Sequence, residues 1–91
     1  MKTSEAKAKI EAAGLNPADF DCRAIATWMT ECDADDATEI AEYIAEGLPV
    51  PDELVVTDRA REVHFWDSIW ANGYARTPAA DAAAQWLSEA A

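Results

Sequence analysis

The side chains able to do chemistry in this chain are few in kind. There is one histidine, His64, two cysteines, Cys22 and Cys32, and eighteen carboxylates against seven lysines and arginines. A cysteine beside a histidine can act as an activated nucleophile. Nothing in the local sequence brings either cysteine to His64, which falls outside the apolar arc of its own helix, beside Asp67 and Ser68. It reads as an exposed or lightly hydrogen-bonded histidine. Asp33-Ala34-Asp35-Asp36 has the oxygen density of a calcium loop, but the glycine at loop position six is missing. The twelfth position counted from Asp33 is Ile44, where calcium requires a bidentate glutamate. No glycine-rich phosphate loop, zinc-ligand spacing or nucleophile elbow occurs. The expectation is a chain that is not an enzyme and carries no metal or cofactor.

The chemistry left is charge, and it is concentrated. The formal net charge is −11. Residues 1–30 are balanced, and residues 63–91 contribute −2. Residues 31–62 hold eleven acids against Arg59 and Arg61, for a net of −9. Asp35, Glu39, Glu42 and Glu46 follow an i, i+4, i+7, i+11 series, which puts four carboxylates on one helical face opposite Ile40 and Ile44. Successive members are separated by about 4.5–6 Å along a helix axis. A nucleic-acid strand presents a phosphate every ~3.4 Å, the same order of spacing. With Asp33, Asp36, Asp52 and Glu53 these residues are the candidate partner-binding set. Like charges at i, i+4 cost a helix a few tenths of a kcal/mol per pair, and no lysine interleaves to relieve them. The plain alternative is a solvated helical face whose acids serve solubility.

The elements that must position this set are punctuated by caps and breakers. Thr3 or Ser4 can cap a first helix reaching Ala13, with Gly14 as its left-handed stop. Asn16-Pro17 opens a second over residues 17–32, marked by Phe20, Ile25, Trp28, Met29 and Cys32. Asp33-Ala34-Asp35-Asp36 reads as the start of a third, its carboxylates massed at the positive end of the helix dipole. The apolar stripe of that helix is Ala37, Ile40, Ala41, Ile44 and Leu48, and Gly47, Pro49 and Pro51 end it. Residues 48–56 read as a connector in which Pro51-Asp52-Glu53-Leu54 can form one turn. Thr57 or Asp58 caps a fourth helix to Ala71, on which Val63, Phe65, Trp66, Ile69 and Trp70 span an arc of roughly 160°. Thr77-Pro78 begins a fifth, with Ala79, Ala82, Ala83, Trp86, Leu87 and Ala90 on one face. The expected fold is all-α, a compact bundle of four to five short helices in a single domain over residues 1–91.

Hydrophobic residues make up 51% of the sequence, enough for one modest core, although 21 of the 91 residues are alanine and bury little area. No run approaches the ~18 apolar residues of a membrane span, and the first residues lack the apolar core of a signal peptide. A cytoplasmic protein is expected. Cys22 and Cys32 lie ten residues apart on one expected helix, ~15 Å along its axis, beyond disulfide reach. The acidic balance disfavours direct contact with nucleic acid or anionic membrane and favours basic partners.

Four readings fit these features. An acidic inhibitor can occupy a basic nucleic-acid-binding groove through the carboxylate set. A protein-interaction module can anchor on Phe65, Trp66 and Tyr74, with acids at the rim. An assembly protein can oligomerise through the fourth helix, and a small enzyme or metal-binding domain completes the range. In Asp33-Ala34-Asp35-Asp36, the acidic helix after it, and the alanine-rich terminal helix from Thr77-Pro78 to Trp86-Leu87, the chain resembles the small acidic accessory proteins of bacterial phages and mobile elements, including anti-CRISPR inhibitors. That resemblance implies a basic protein or nucleoprotein partner such as a CRISPR effector complex, blocked from capturing target DNA. It implies action in the bacterial cytoplasm and transfers no individual functional residue. A monomer or small homo-oligomer is expected.

Overall fold

Three of the four helices among the described residues, 1–90, stop in the same way. In the computed structural model α1 (Thr3–Ala12), α2 (Cys22–Ala45) and α3 (Asp58–Ala71) each run into a glycine, and α4 (Pro78–Ala90) follows them. At the end of α2, Gly47 adopts φ +70° and its N–H donates to the Ile44 carbonyl, while the Leu48 N–H donates to the Tyr43 carbonyl. This paired arrangement satisfies carbonyls that a helix end would otherwise orphan. Short 3-10 turns occupy Pro17–Asp19 and Asp52–Leu54.

The start signals are met less uniformly. Thr57 Oγ1 accepts from the Ala60 N–H and Thr77 Oγ1 from the Ala80 N–H, as N-caps of α3 and α4 should. Neither Thr3 nor Ser4 caps α1, whose N-cap is Lys2. The chain start is held instead by the Met1 ammonium, which donates to Thr30 Oγ1 on α2 at 2.7 Å. Asn16 caps only the 3-10 turn, and Asp21 is the residue that caps α2.

The largest departure from the sequence reading is α2 itself. The expected second and third helices are one unbroken 24-residue helix. Asp33-Ala34-Asp35-Asp36 has the composition of an N-cap, but no glycine or proline stands between Pro17 and Gly47 to end the preceding helix. An aspartate inside a helix costs up to ~0.7 kcal/mol, whereas a break orphans four carbonyls and four N–H groups. The continuous helix wins.

The core joins the first third of the chain to the last. Ala6 and Ile10 of α1, Phe20, then Cys22, Ile25, Ala26 and Met29 of α2 pack with Phe65, Trp66 and Ile69 of α3 and Ala80 and Ala84 of α4. The loops are stitched by backbone bonds, Asp21 N–H to the Tyr74 carbonyl at 2.9 Å and Arg76 N–H to the Asp19 carbonyl at 2.7 Å. Among the described residues Ser68 is the polar side chain inside, donating to the His64 carbonyl. On α4 the buried face is Ala80 and Ala84 with half-buried Ala83 and Leu87, rotated from the expected stripe. Trp86 is 65% exposed, and Ala79, Ala82 and Ala90 are exposed too. Alanine recurs on both faces of α4, and close packing of the helix selects the face without the indole.

One polar knot ties α1 to α3. Glu62 accepts from Lys9 Nζ and from the indole N–H of buried Trp66 at 2.8 Å. The Lys9 ammonium also lies 5.1 Å from the Phe65 ring centroid, within cation–π range. The hydrogen bond from Lys9, assisted by that from Trp66, holds the Glu62 carboxyl below the ordinary carboxylate value, against a partial desolvation that pushes it up. Because the folded value is the depressed one, this stabilisation is present above the unfolded value near pH ~4.3 and is lost as pH falls through the folded value. Glu62→Ala is expected to cost about 1–2 kcal/mol by leaving the buried indole N–H unpaired. Glu62→Gln, which keeps an acceptor, should cost under about 1 kcal/mol, since the Lys9 pair is partly exposed and screened. Urea titrations at neutral and acid pH check both, the gap between wild type and Glu62→Gln closing in acid.

Candidate interaction arm

No described residue between 30 and 64 is buried. This stretch contains the distal half of α2, the turn at Gly47, the Asp52–Leu54 turn and the first half of α3. A 24-residue helix is about 36 Å long, while the buried positions of α2 end at Met29, one third of the way along. The rest of α2 and the returning segment project as an arm. The molecule measures 46 × 24 × 20 Å, with a radius of gyration of 14.5 Å against ~12 Å for a spherical domain of this length. Among the described residues no helix is long and apolar enough to cross a membrane.

The arm is where the charge lies. Asp35, Glu39, Glu42 and Glu46 are all exposed, as are Asp33, Asp52 and Glu53, while Asp36 is half-buried. The continuous helix alters their electrostatics. Asp33, Asp35 and Asp36 sit in mid-helix, away from the positive dipole end that a separate third helix would have offered them. Glu42 and Glu46 stand instead at the negative end, where α2 has no basic residue in its last turn. Both the mutual repulsion and the dipole therefore oppose the stripe.

The candidate set divides between two sides of the arm. Asp35, Glu39, Glu42 and Glu46 form the outer stripe over about 16 Å of helix. Asp33, Asp36 and Glu53 are brought together elsewhere, in a 260 Å³ cleft between α2 and α3 also lined by Met29, Val56, Ala60, Arg61 and His64. His64 is exposed, as its sequence position implied, and its ring stacks at 33° on Trp28 with centroids 5.0 Å apart. Among the described residues no group of three or more histidines, cysteines and acids is placed to hold a metal ion.

The arm's field also acts on a thiol. Cys22 and Cys32 both lie on α2 as free cysteines, the first buried and the second partly so. Desolvation, then the charges of Asp36, Asp35, Asp33 and Glu31, raise the Cys32 thiol above its ordinary value. Iodoacetamide at mildly alkaline pH should therefore alkylate Cys32 more slowly than a free cysteine peptide, and Asp36→Asn should speed the reaction. The disulfide dianion of Ellman's reagent should widen the deficit, and equal rates for protein and peptide would contradict it.

The sequence did not reveal the arm's apolar exposure. Ile44 is 66% exposed, Leu48 50%, Val55 55% and Val56 40%. Ile44 and Leu48 belong to the stripe expected to face a core. The available signal was the lack of a second strongly apolar helix between residues 33 and 57 to cover them. Phe65 and Trp66 are core residues, as an aromatic stripe at helical spacing on a central helix implies, and the more exposed tryptophans are Trp70 and Trp86. With so little buried, the arm should exchange its amide hydrogens fast. Residues 34–57 are expected to show local opening at a fraction of the global stability, with full protection at residues 25–29 and 65–70. Uniform protection along α2 would contradict this.

The fold and the site together define a class, a small all-α protein with a projecting acidic arm. Compared with protein-family models, curated proteins and solved structures, the chain matches none.

Proposed function

We propose that this protein is an acidic inhibitor that binds a basic, nucleic-acid-binding surface of a partner protein or nucleoprotein complex through its arm. The observation that carries this reading is the placement of −9 of the net −11 charge in residues 31–62, a stretch that contributes no buried side chain. A segment that contributes no buried side chain and bears both repulsion and an adverse dipole along its helix is best accounted for by a compensating contact elsewhere. Asp35, Glu39, Glu42 and Glu46 stand in for successive phosphates, and Asp33, Asp36, Asp52 and Glu53 extend the surface. Lysines and arginines of the groove supply the complement, which gives fast, salt-sensitive association. The resemblance to phage accessory inhibitors makes a CRISPR effector in a bacterial cytoplasm one such partner, blocked from capturing target DNA.

Affinity capture from bacterial lysate at low and high salt tests the proposal. Retention of a nucleic-acid-binding complex at low salt, released as salt rises, is the expected result. Capture indifferent to salt would instead favour a second reading, a module anchored on the exposed indoles of Trp86 and Trp70.

A further inference from the structure

Several features besides the stripe were candidates for a role. The α2–α3 cleft mixes Asp33, Asp36 and Glu53 with Arg61, and shows nothing that points to a ligand. Trp70 and Trp86 are exposed, but nothing near them indicates what covers them. The apolar side of the arm goes further, because its surroundings constrain its occupant.

Ile44, Leu48, Val55 and Val56 are four of the six large hydrophobic side chains that stand exposed among the described residues, and all four belong to the arm. Ile44 lies on the side of α2 opposite the carboxylate stripe, on the helical face that Ile40 and Asp33 share. That face continues at its base into the cleft where Val56 meets Asp33, Asp36 and Glu53. Asp52 and Glu53 directly precede the Leu54-Val55-Val56 run, and beside Val56 the rim of the cleft holds three carboxylates, Asp33, Asp36 and Glu53, against the cation Arg61. The rim decides between occupants. A second copy of this chain would press two segments of net −9 together, which the like-charge repulsion opposes. A neutral apolar segment would desolvate the rim carboxylates without pairing them. A segment with an apolar face flanked by lysines or arginines satisfies both parts.

From this we infer that the apolar side of the arm docks a cationic amphipathic helix of the partner, with Ile44 and Leu48 as anchors and Asp33, Asp36, Asp52 and Glu53 pairing with its basic flanks. The inference rests on the proposed function and adds a contact on the opposite side of the arm from the phosphate-like stripe. An arm gripped on both sides is one inserted into a groove.

Two synthetic peptides of about 18 residues, some five helical turns, provide the probe. They share one composition of lysine and leucine, with leucines at i, i+3, i+4, i+7 in the first and scattered in the second. Binding is measured by fluorescence anisotropy against wild type, Ile44→Ser/Leu48→Ser and Glu39→Lys/Glu42→Lys, with helicity checked by circular dichroism. Wild type should prefer the amphipathic peptide by about tenfold or more, the equivalent of ~1.4 kcal/mol. Ile44→Ser/Leu48→Ser should erase that preference, whereas Glu39→Lys/Glu42→Lys should keep it. Both serine positions are at least half exposed, so the variant should fold. Equal affinity for the two peptides, or a preference that survives Ile44→Ser/Leu48→Ser, overturns the apolar dock and leaves the stripe reading standing. A preference lost in the serine variant, together with lysate capture unaffected by Glu39→Lys/Glu42→Lys, supports the dock and overturns the stripe.

Discussion

Phe65→Ala is expected to lower the unfolding free energy by about 3–5 kcal/mol, the usual range for emptying a buried aromatic site. Phe65 is fully buried, packs edge-on against Trp66 with ring centroids 5.1 Å apart, and receives the Lys9 ammonium over its face. It stands where α3 meets the polar knot from α1, so truncation removes packing and cation–π contact together. For a 91-residue domain the total stability is roughly 5–14 kcal/mol, and the loss consumes a large part of it. Each kcal/mol lowers the melting temperature of a domain this size by ~4–8 °C, so calorimetry should show a fall of at least about 12 °C or no cooperative transition. A loss under about 1 kcal/mol with binding abolished would make Phe65 a contact residue and contradict the packing described above.

The second large effect should appear in binding with stability spared. Glu39→Lys/Glu42→Lys moves the net charge from −11 to −7 and replaces the centre of the outer stripe. Both side chains are exposed and pack against nothing buried. Affinity for the basic partner should fall on the order of 100-fold, as attractive pairs become repulsive ones. Asp35 would then face a lysine one turn on, an attractive i, i+4 pair, so helix stability should hold or rise by a few tenths of a kcal/mol. Isothermal titration and thermal unfolding on the same sample check the two halves. Unchanged affinity would move the functional surface off the stripe.

The contrast between these variants follows the division of the molecule. The all-α fold, the glycine stops and the threonine caps at Thr57 and Thr77 are legible in the sequence because each has a local cause that no distant contact overrides. Gly47 needs only the helix before it to adopt its left-handed turn. The expected break at Asp33 fails because a capping signal is conditional. Aspartates cap a helix where the chain has already left one, and here nothing ends α2 before Gly47. The expected face of α4 fails because its alanines satisfy helical periodicity in two registers, and only the approach of α3 chooses between them. The partner-binding set is legible as composition, since charge segregation survives any fold. Its splitting into an outer stripe and a cleft, and the exposure of Ile44 and Leu48, depend on α2 outrunning the core, which no local pattern encodes.

Competition with nucleic acid tests the central claim most directly. The captured partner, bound to fluorescently labelled duplex DNA, is titrated with this protein. If the acidic arm occupies the groove that grips phosphates, the label should be displaced completely, at a protein concentration that rises in proportion to the excess of duplex supplied, as competition for one groove requires. Duplex and protein held together in a stable ternary complex would contradict that claim, placing the arm on a surface that nucleic acid does not use.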